Sequence, residues 1–158
     1  MAYEIQMTQT APQLVAAIKT RTSRKTISSD IATGFGTLVH ALASAGATAA
    51  GPPMVIYHSM IDEETEGDIE LCIPVATPVE SSNDIYSCEV GGDHIAMVMH
   101  RGPYHELSAA YGAITQWIGE HGHSPAGPPR EIYLNDPQTV APEDLLTRVE
   151  WPIAPPET

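Results

Sequence analysis

The sequence predicts an α+β fold made as a tandem repeat, two copies of one unit in which a helix is set among antiparallel strands, with a central ligand cleft. Three observations carry this expectation. Ala-Gly-Pro-Pro-Met-Val-Ile-Tyr at residues 50–57 returns as Ala-Gly-Pro-Pro-Arg-Glu-Ile-Tyr at 126–133. The same offset pairs Ile31 with Leu107, Phe35-Gly36 with Tyr111-Gly112, Leu38 with Ile114, Leu42 with Ile118 and Gly46 with Gly122. After a short insertion in the later copy it also pairs Pro74-Val75-Ala76 with Pro152-Ile153-Ala154. Finally, each copy holds an apolar stripe of helical period between strand-like segments, the pattern of a helix laid on one face of a sheet. Copies of one supersecondary unit that face each other leave a cleft between them. Function is then to be sought where the copies differ.

Taken in order, alternating Tyr3-Glu4-Ile5-Gln6-Met7-Thr8 reads as a strand and Leu14–Lys19 as a second. Ser28-Ser29-Asp30 are helix N-cap candidates, and Ile31, Phe35, Leu38 and Leu42 give the stripe of a helix over about 29–45 that Gly46 stops. Pro52-Pro53 starts a strand over 54–58. The acidic run Asp62–Asp68 turns the chain, and 69–75 returns as a strand. The first copy covers about 1–76, and Thr77–Asn83 is the linker. The second copy, about 84–154, opens with 85–89, a Gly91-Gly92-Asp93 turn and 94–100, which reads as a hairpin. A helix over about 104–121 carries Leu107, Tyr111, Ile114 and Ile118. Strands near 130–134 and 146–153 follow, joined by Asn135-Asp136-Pro137, and the Pro-rich tail frays.

At 158 residues the chain suits a single domain over 1–158 whose halves share one fold. A net charge of −13 with only seven scattered Lys and Arg argues against direct nucleic-acid binding, which needs clustered cations. The same charge can draw cationic ligands toward a cleft, or simply solvate the surface. Two cysteines, Cys72 and Cys88, make no disulfide framework and point to a reducing, cytoplasmic setting. The N-terminus has no basic-then-apolar leader, and no stretch approaches the ~20 apolar residues of a membrane span.

Met99-His100-Arg101-Gly102-Pro103-Tyr104-His105-Glu106-Leu107, then Tyr111-Gly112, Trp117-Ile118, Gly122 and Pro128, Arg130-Glu131-Ile132-Tyr133-Leu134, form an ordered set over nearly the whole chain. This set resembles the GyrI-like, or bacterial transcription activator effector-binding, domain family. The resemblance implies two β-α-β-β units related by pseudo-twofold symmetry around a central cleft for small molecules, often lipophilic or cationic. It also implies that the Glu matching Glu131 is the buried acid that meets cationic ligands and, in some members, a catalytic acid or base. Family members often follow a helix-turn-helix module; here the two copies use the length, so a regulatory role would need a separate protein partner.

Glu131 is the sharpest candidate. In a strand, Glu131 and Tyr133 share one face, while Arg130, Ile132 and Leu134 share the other. The aligned residues of the first copy are Val55 and Tyr57, so two tyrosines repeat while a carboxylate appears once. On an aromatic wall the ionised carboxylate is disfavoured by desolvation and restored by a bound cation. The bland alternative is an exposed Glu131, or one bonded to Arg148. Tyr57 and Tyr133 offer π faces and hydroxyls to a ligand, or pack against the helices. Tyr104, after Arg-Gly-Pro, lines a cleft mouth or staples the helix start. Trp117 stands where the first copy has Ala41 and fills either core or pocket. Met54, Met97 and Met99 suit an adaptable pocket and also ordinary core.

His121-x-His123 offers no third metal ligand at a suitable spacing, and no phosphate loop or nucleophile elbow is present, so neither metal nor cofactor is expected. Gly36 and its match Gly112 suggest close helix packing. The residues together with the resemblance imply a small-molecule-binding protein that takes a lipophilic, cationic or polarised ligand with Glu131, Tyr133, Tyr57, Tyr104, Val55, Met97 and Trp117. The resemblance leaves two other classes open: a hydrolase of strained, cyclopropane-bearing electrophiles with Glu131 as its catalytic residue, and a protein inhibitor of a topoisomerase.

Overall fold

Strands form where alternation and apolar runs place them, but the hairpin suggested by Gly91-Gly92-Asp93 does not form. The computed structural model describes residues 3–59, 66–81 and 84–154. Its strands are β1 (Gln6–Gln9), β2 (Gln13–Thr22), β3 (Met54–Tyr57), β4 (Gly67–Pro74), β5 (Ile85–Val90), β6 (His94–Arg101), β7 (Ser124–Pro125), β8 (Arg130–Tyr133) and β9 (Leu146–Ala154). Its helices are α1 (Ile27–Ser44) and α2 (Leu107–Glu120), with 3-10 turns at Tyr104–Glu106 and Pro142–Asp144. The strand pairs are antiparallel, so the fold is α+β. Part of the Asp62–Asp68 turn, part of the 77–83 linker and the tail beyond 154 lie outside the described residues.

The chain divides into two units, Pro12–Gly91 and Met1–Ala11 with Gly92–Thr158. In the first, the strand order is β3-β4-β2-β5. Leu38 and Leu42 of the α1 stripe are buried, with Ile31 and Phe35 half-buried beside them. A Cβ added at Gly34 would stand 2.8 Å from a Leu71 methyl, so the helix lies against Leu71. Val55 pairs with Leu71 and Tyr57 with Ile69, which puts Val55 and Tyr57 on the α1 side of this sheet. The helix starts ahead of the expected cap residues. Thr26 occupies the N-cap without a side-chain cap bond, while Asp30 in the first turn accepts the hydroxyls of Thr22 (2.7 Å) and Thr26 (2.9 Å). That carboxylate sits at the positive end of the helix dipole.

In the second unit the order is β1-β6-β9-β8, with β7 also on β9. Leu107, Ala110, Ile114 and Ile118 of α2 bury themselves on Ala96, Val98, Val149 and Ile153, with Tyr3, Ile5, Tyr111, Trp117 and Trp151 packed at the margin. Gly122, at φ 72°, ends α2, and the His123 N–H reaches the Ile118 carbonyl at 3.0 Å, a left-handed glycine closure. The two units carry helix and strands in the same order along the chain, which fits the repeat.

The expected hairpin of 85–89 with 94–100 is where the structure departs. β5 pairs with β2, and β6 pairs with β1. Gly91 and Gly92, at φ 90° and 75°, turn the chain out of one unit into the other, a use of glycine's freedom that looks like a hairpin turn in sequence. Asp93 fastens this crossing. Its carbonyl accepts the Thr10 N–H at 2.9 Å, and its carboxylate accepts the Thr10 hydroxyl at 2.7 Å.

Candidate functional site

Strand pairing decides which side chains can meet. On β9, Val149 pairs with Glu131 and Val98, and Thr147 pairs with Tyr133 and His100. Because Val149 and Val98 belong to the core under α2, Glu131, Tyr133, Thr147 and His100 all face that helix. Glu131 is only 6% exposed. Its Oε2 accepts the Tyr111 hydroxyl from α2 at 2.7 Å, and its Oε1 accepts the Tyr133 hydroxyl at 2.8 Å. A carboxylate buried in this way is held by two phenols, one from the helix above it and one from its own strand. Tyr104, on the 3-10 turn before α2, meets the Tyr133 ring edge to face at 5.5 Å and 67°. Burial, together with the negative charges of Asp136 and Glu131, pushes the Tyr104 phenol above its ordinary pKa.

The loop that delivers Tyr104 is itself anchored. His100 is 2% exposed; its Nε2–H donates to the Pro103 carbonyl at 3.1 Å, which leaves Nδ1 to accept the Tyr3 hydroxyl at 2.9 Å. Gly102 lies between them at φ 134°, a conformation that favours glycine, and an added Cβ would stand 3.2 Å from Glu106 Oε2.

Arg148 does not serve Glu131. It lies on the opposite face of the sheet, where its Nε donates to Glu150 at 2.8 Å. Arg130 is on that face too, bonded to Glu150 at 2.7 Å and to both Asp93 oxygens at 2.9 and 3.1 Å. Burial raises the Asp93 carboxyl, but the bonds from Arg130 and Thr10 outweigh it and hold its pKa below the usual carboxylate value.

Of the other expected site residues, Met97 pairs with Glu150 and so lies on the Arg130 face, away from the side that carries Glu131. Alternation along β6 makes this unavoidable, since Ala96 and Val98 take the α2 side. Trp117 stacks on His121 at 4.1 Å and on His123 at 5.7 Å, toward the end of α2, rather than on the tyrosines around Glu131. Val55 (0% exposed) and Tyr57 (half-buried) belong to the other unit, on its α1 side.

Two groups escaped sequence reasoning. Tyr111 reads as core, yet it gives its hydroxyl to Glu131; its partner in the first copy is Phe35, so an unmatched hydroxyl was the available signal. In the first unit, Glu70 sits on the sheet face opposite α1, accepts His58 Nε2–H at 2.8 Å and takes the Tyr86 hydroxyl. Burial and the adjoining Glu70 push the Tyr86 phenol well above its ordinary range, and burial likewise raises the half-buried Cys88 thiol. Among the described residues, no group of three or more His, Cys, Asp or Glu is placed to hold a metal ion. Nor is any helix there long and apolar enough to cross a membrane.

With a buried acid under a helix in one unit and no such acid at the aligned Val55 of the other, residues 3–154 match the GyrI-like small molecule binding domain. The chain belongs to that family. No curated sequence matches it. Among solved structures, the EcmrR C-terminal domain has the same fold at TM-score 0.88 and 21% identity, over 98% of this chain and 99% of that one. The chain spans 58% of EcmrR as seen in its DNA complex. A hydrolase encoded by lin2189 from Listeria innocua aligns at TM-score 0.69 and 12% identity, over 97% of this chain and 93% of that one. SAV2435, bound to tetraphenylphosphonium, aligns at TM-score 0.60 and 14% identity, over 98% of this chain and 94% of that one.

Proposed function

We propose that this GyrI-like domain binds lipophilic cations through Glu131. The observation that supports the reading is the buried carboxylate with a phenol on each oxygen and a further aromatic ring, Tyr104, against one of those phenols. Phenol rings offer a cation their π faces, and a buried carboxylate attracts it far more strongly than a solvated one would. The tetraphenylphosphonium complex of SAV2435, a protein of the same fold, supplies a probe of the right chemistry.

Glu131→Gln tests this, because it keeps shape and removes charge. Tetraphenylphosphonium binding measured by calorimetry should weaken by about 2–4 kcal/mol if the ion pair is desolvated, with the circular dichroism spectrum unchanged. A loss under ~1 kcal/mol would place the cation in water, away from this carboxylate.

The same constellation favours a second reading, hydrolysis of strained electrophilic small molecules, in which Glu131 activates water beside phenolic donors. The fold shared with a Listeria innocua hydrolase supports this second reading. In that case Glu131→Gln abolishes turnover with substrate binding largely kept, so recovery of the compound intact or opened after incubation separates the two readings.

A further inference from the structure

The helix-facing side of the second unit holds a row of polar side chains in register across three strands: Tyr133 on β8, Thr147 on β9 and His100 on β6, with Tyr3 bonded to His100 beyond them. All but one of these groups are satisfied. Tyr133 gives its hydroxyl to Glu131, and His100 spends one nitrogen on the Pro103 carbonyl and the other on Tyr3. Thr147 is 0% exposed, and its Oγ1 is sealed from water with no hydrogen-bond partner among the described residues. Leaving a buried hydroxyl unmet costs the folded state the full desolvation of that group, whereas Val fills the same shape at no such cost.

We propose that Thr147 Oγ1 is a hydrogen-bonding group of the Glu131 site and selects cations that carry a neutral hydroxyl. The inference rests on the cation-binding reading above and extends it to ligand chemistry. Thr147 stands directly beside Tyr133 on the same face, and diagonal to Glu131, a relation that separates strand positions by roughly 7–8 Å. A ligand whose charge meets Glu131 therefore places a substituent at Thr147 when it extends about one aryl ring from the charged centre. A hydroxyl suits the position because it can both give and receive a hydrogen bond, as Thr147 can, and neither flanking side chain has a hydrogen left to offer. Tyr104, the most exposed ring of the group at 38%, rides on the turn after Gly102.

The test compares tetraphenylphosphonium with (4-hydroxyphenyl)triphenylphosphonium on the wild-type chain, Thr147→Val and Thr147→Ser, by calorimetry and thermal melting. The wild type should bind the hydroxylated cation about 5–10-fold more tightly, the gain of one net hydrogen bond. Thr147→Val should erase that preference, keep tetraphenylphosphonium affinity within about twofold and melt no lower than the wild type, while Thr147→Ser restores the preference. Tetraphenylphosphonium binding with no hydroxyl preference, or a preference that survives Thr147→Val, overturns the role of Thr147 alone. Binding of neither cation overturns the cation-binding reading and this inference with it.

Discussion

Glu131 and Tyr111 are two positions at which the second copy adds a polar group to an apolar match, Val55 and Phe35, and the structure joins those additions in one hydrogen bond. A bond from a phenol to a buried carboxylate is charge-assisted, so Tyr111→Phe should lower the unfolding free energy by about 1–3 kcal/mol in urea denaturation at neutral pH. In a Glu131→Gln background the same change should cost less than half as much, because the acceptor is no longer ionised. Equal losses in the two backgrounds would mean that the Tyr111 hydroxyl contributes nothing through Glu131. The acid was legible in the sequence because the repeat supplied an internal comparison. Tyr111 was equally visible by that comparison, but its place in a helical stripe gave it to the core. Met97 was misplaced for a different reason: residue type suggested a pocket, whereas strand alternation, which decides the face, puts it with Glu150 and Arg130.

Helix α1 meets its sheet at Gly34, not at the Gly36 that the repeat pairs with Gly112. A Cβ at Gly34 would lie 2.8 Å from the buried Leu71, while Gly36 and Gly112 have nothing within 4 Å. Glycine in a helix interior costs up to about 1 kcal/mol against alanine. Gly36→Ala and Gly112→Ala should therefore raise the denaturation midpoint, each adding about 0.5–1 kcal/mol. Gly34→Ala should fail to stabilise, because Leu71, fully buried in its sheet, has to repack. Stabilisation at Gly34 equal to that at Gly36 would contradict the close approach of α1 to Leu71. Pairing of glycines in an alignment records matched positions along two helices. Which of them touches the sheet depends on helix rotation, and one sequence does not contain it. The start of α1 escaped similarly, since Ser28-Ser29-Asp30 are good caps in isolation, yet Asp30 finds its donors in Thr22 and Thr26 inside an earlier first turn.

At the scale of the whole chain, the strands were legible and the partners of β1 and β5 were not. Alternation fixes that a segment is extended and which residues share a face, but pairing depends on where the chain goes between strands, and Gly91-Gly92 serves a crossing as readily as a hairpin. Net charge is the other property that belongs to the entire chain. At −13 it attracts cations over distances that salt controls, with a Debye length near 30 Å at 0.01 M ionic strength and about 10 Å at 0.1 M. The proposed pair of a cation with Glu131 would be buried and would respond little to salt. The two contributions therefore separate kinetically. Between 0.01 and 0.1 M NaCl, stopped-flow association of tetraphenylphosphonium should slow several-fold while its dissociation rate changes little. Glu131→Gln should do the reverse, speeding dissociation while keeping most of the salt dependence of association, since the mutation removes one of twenty acidic residues. An association rate indifferent to salt would assign the acidic surface to solvation alone and leave recognition to the phenols and the carboxylate beneath α2.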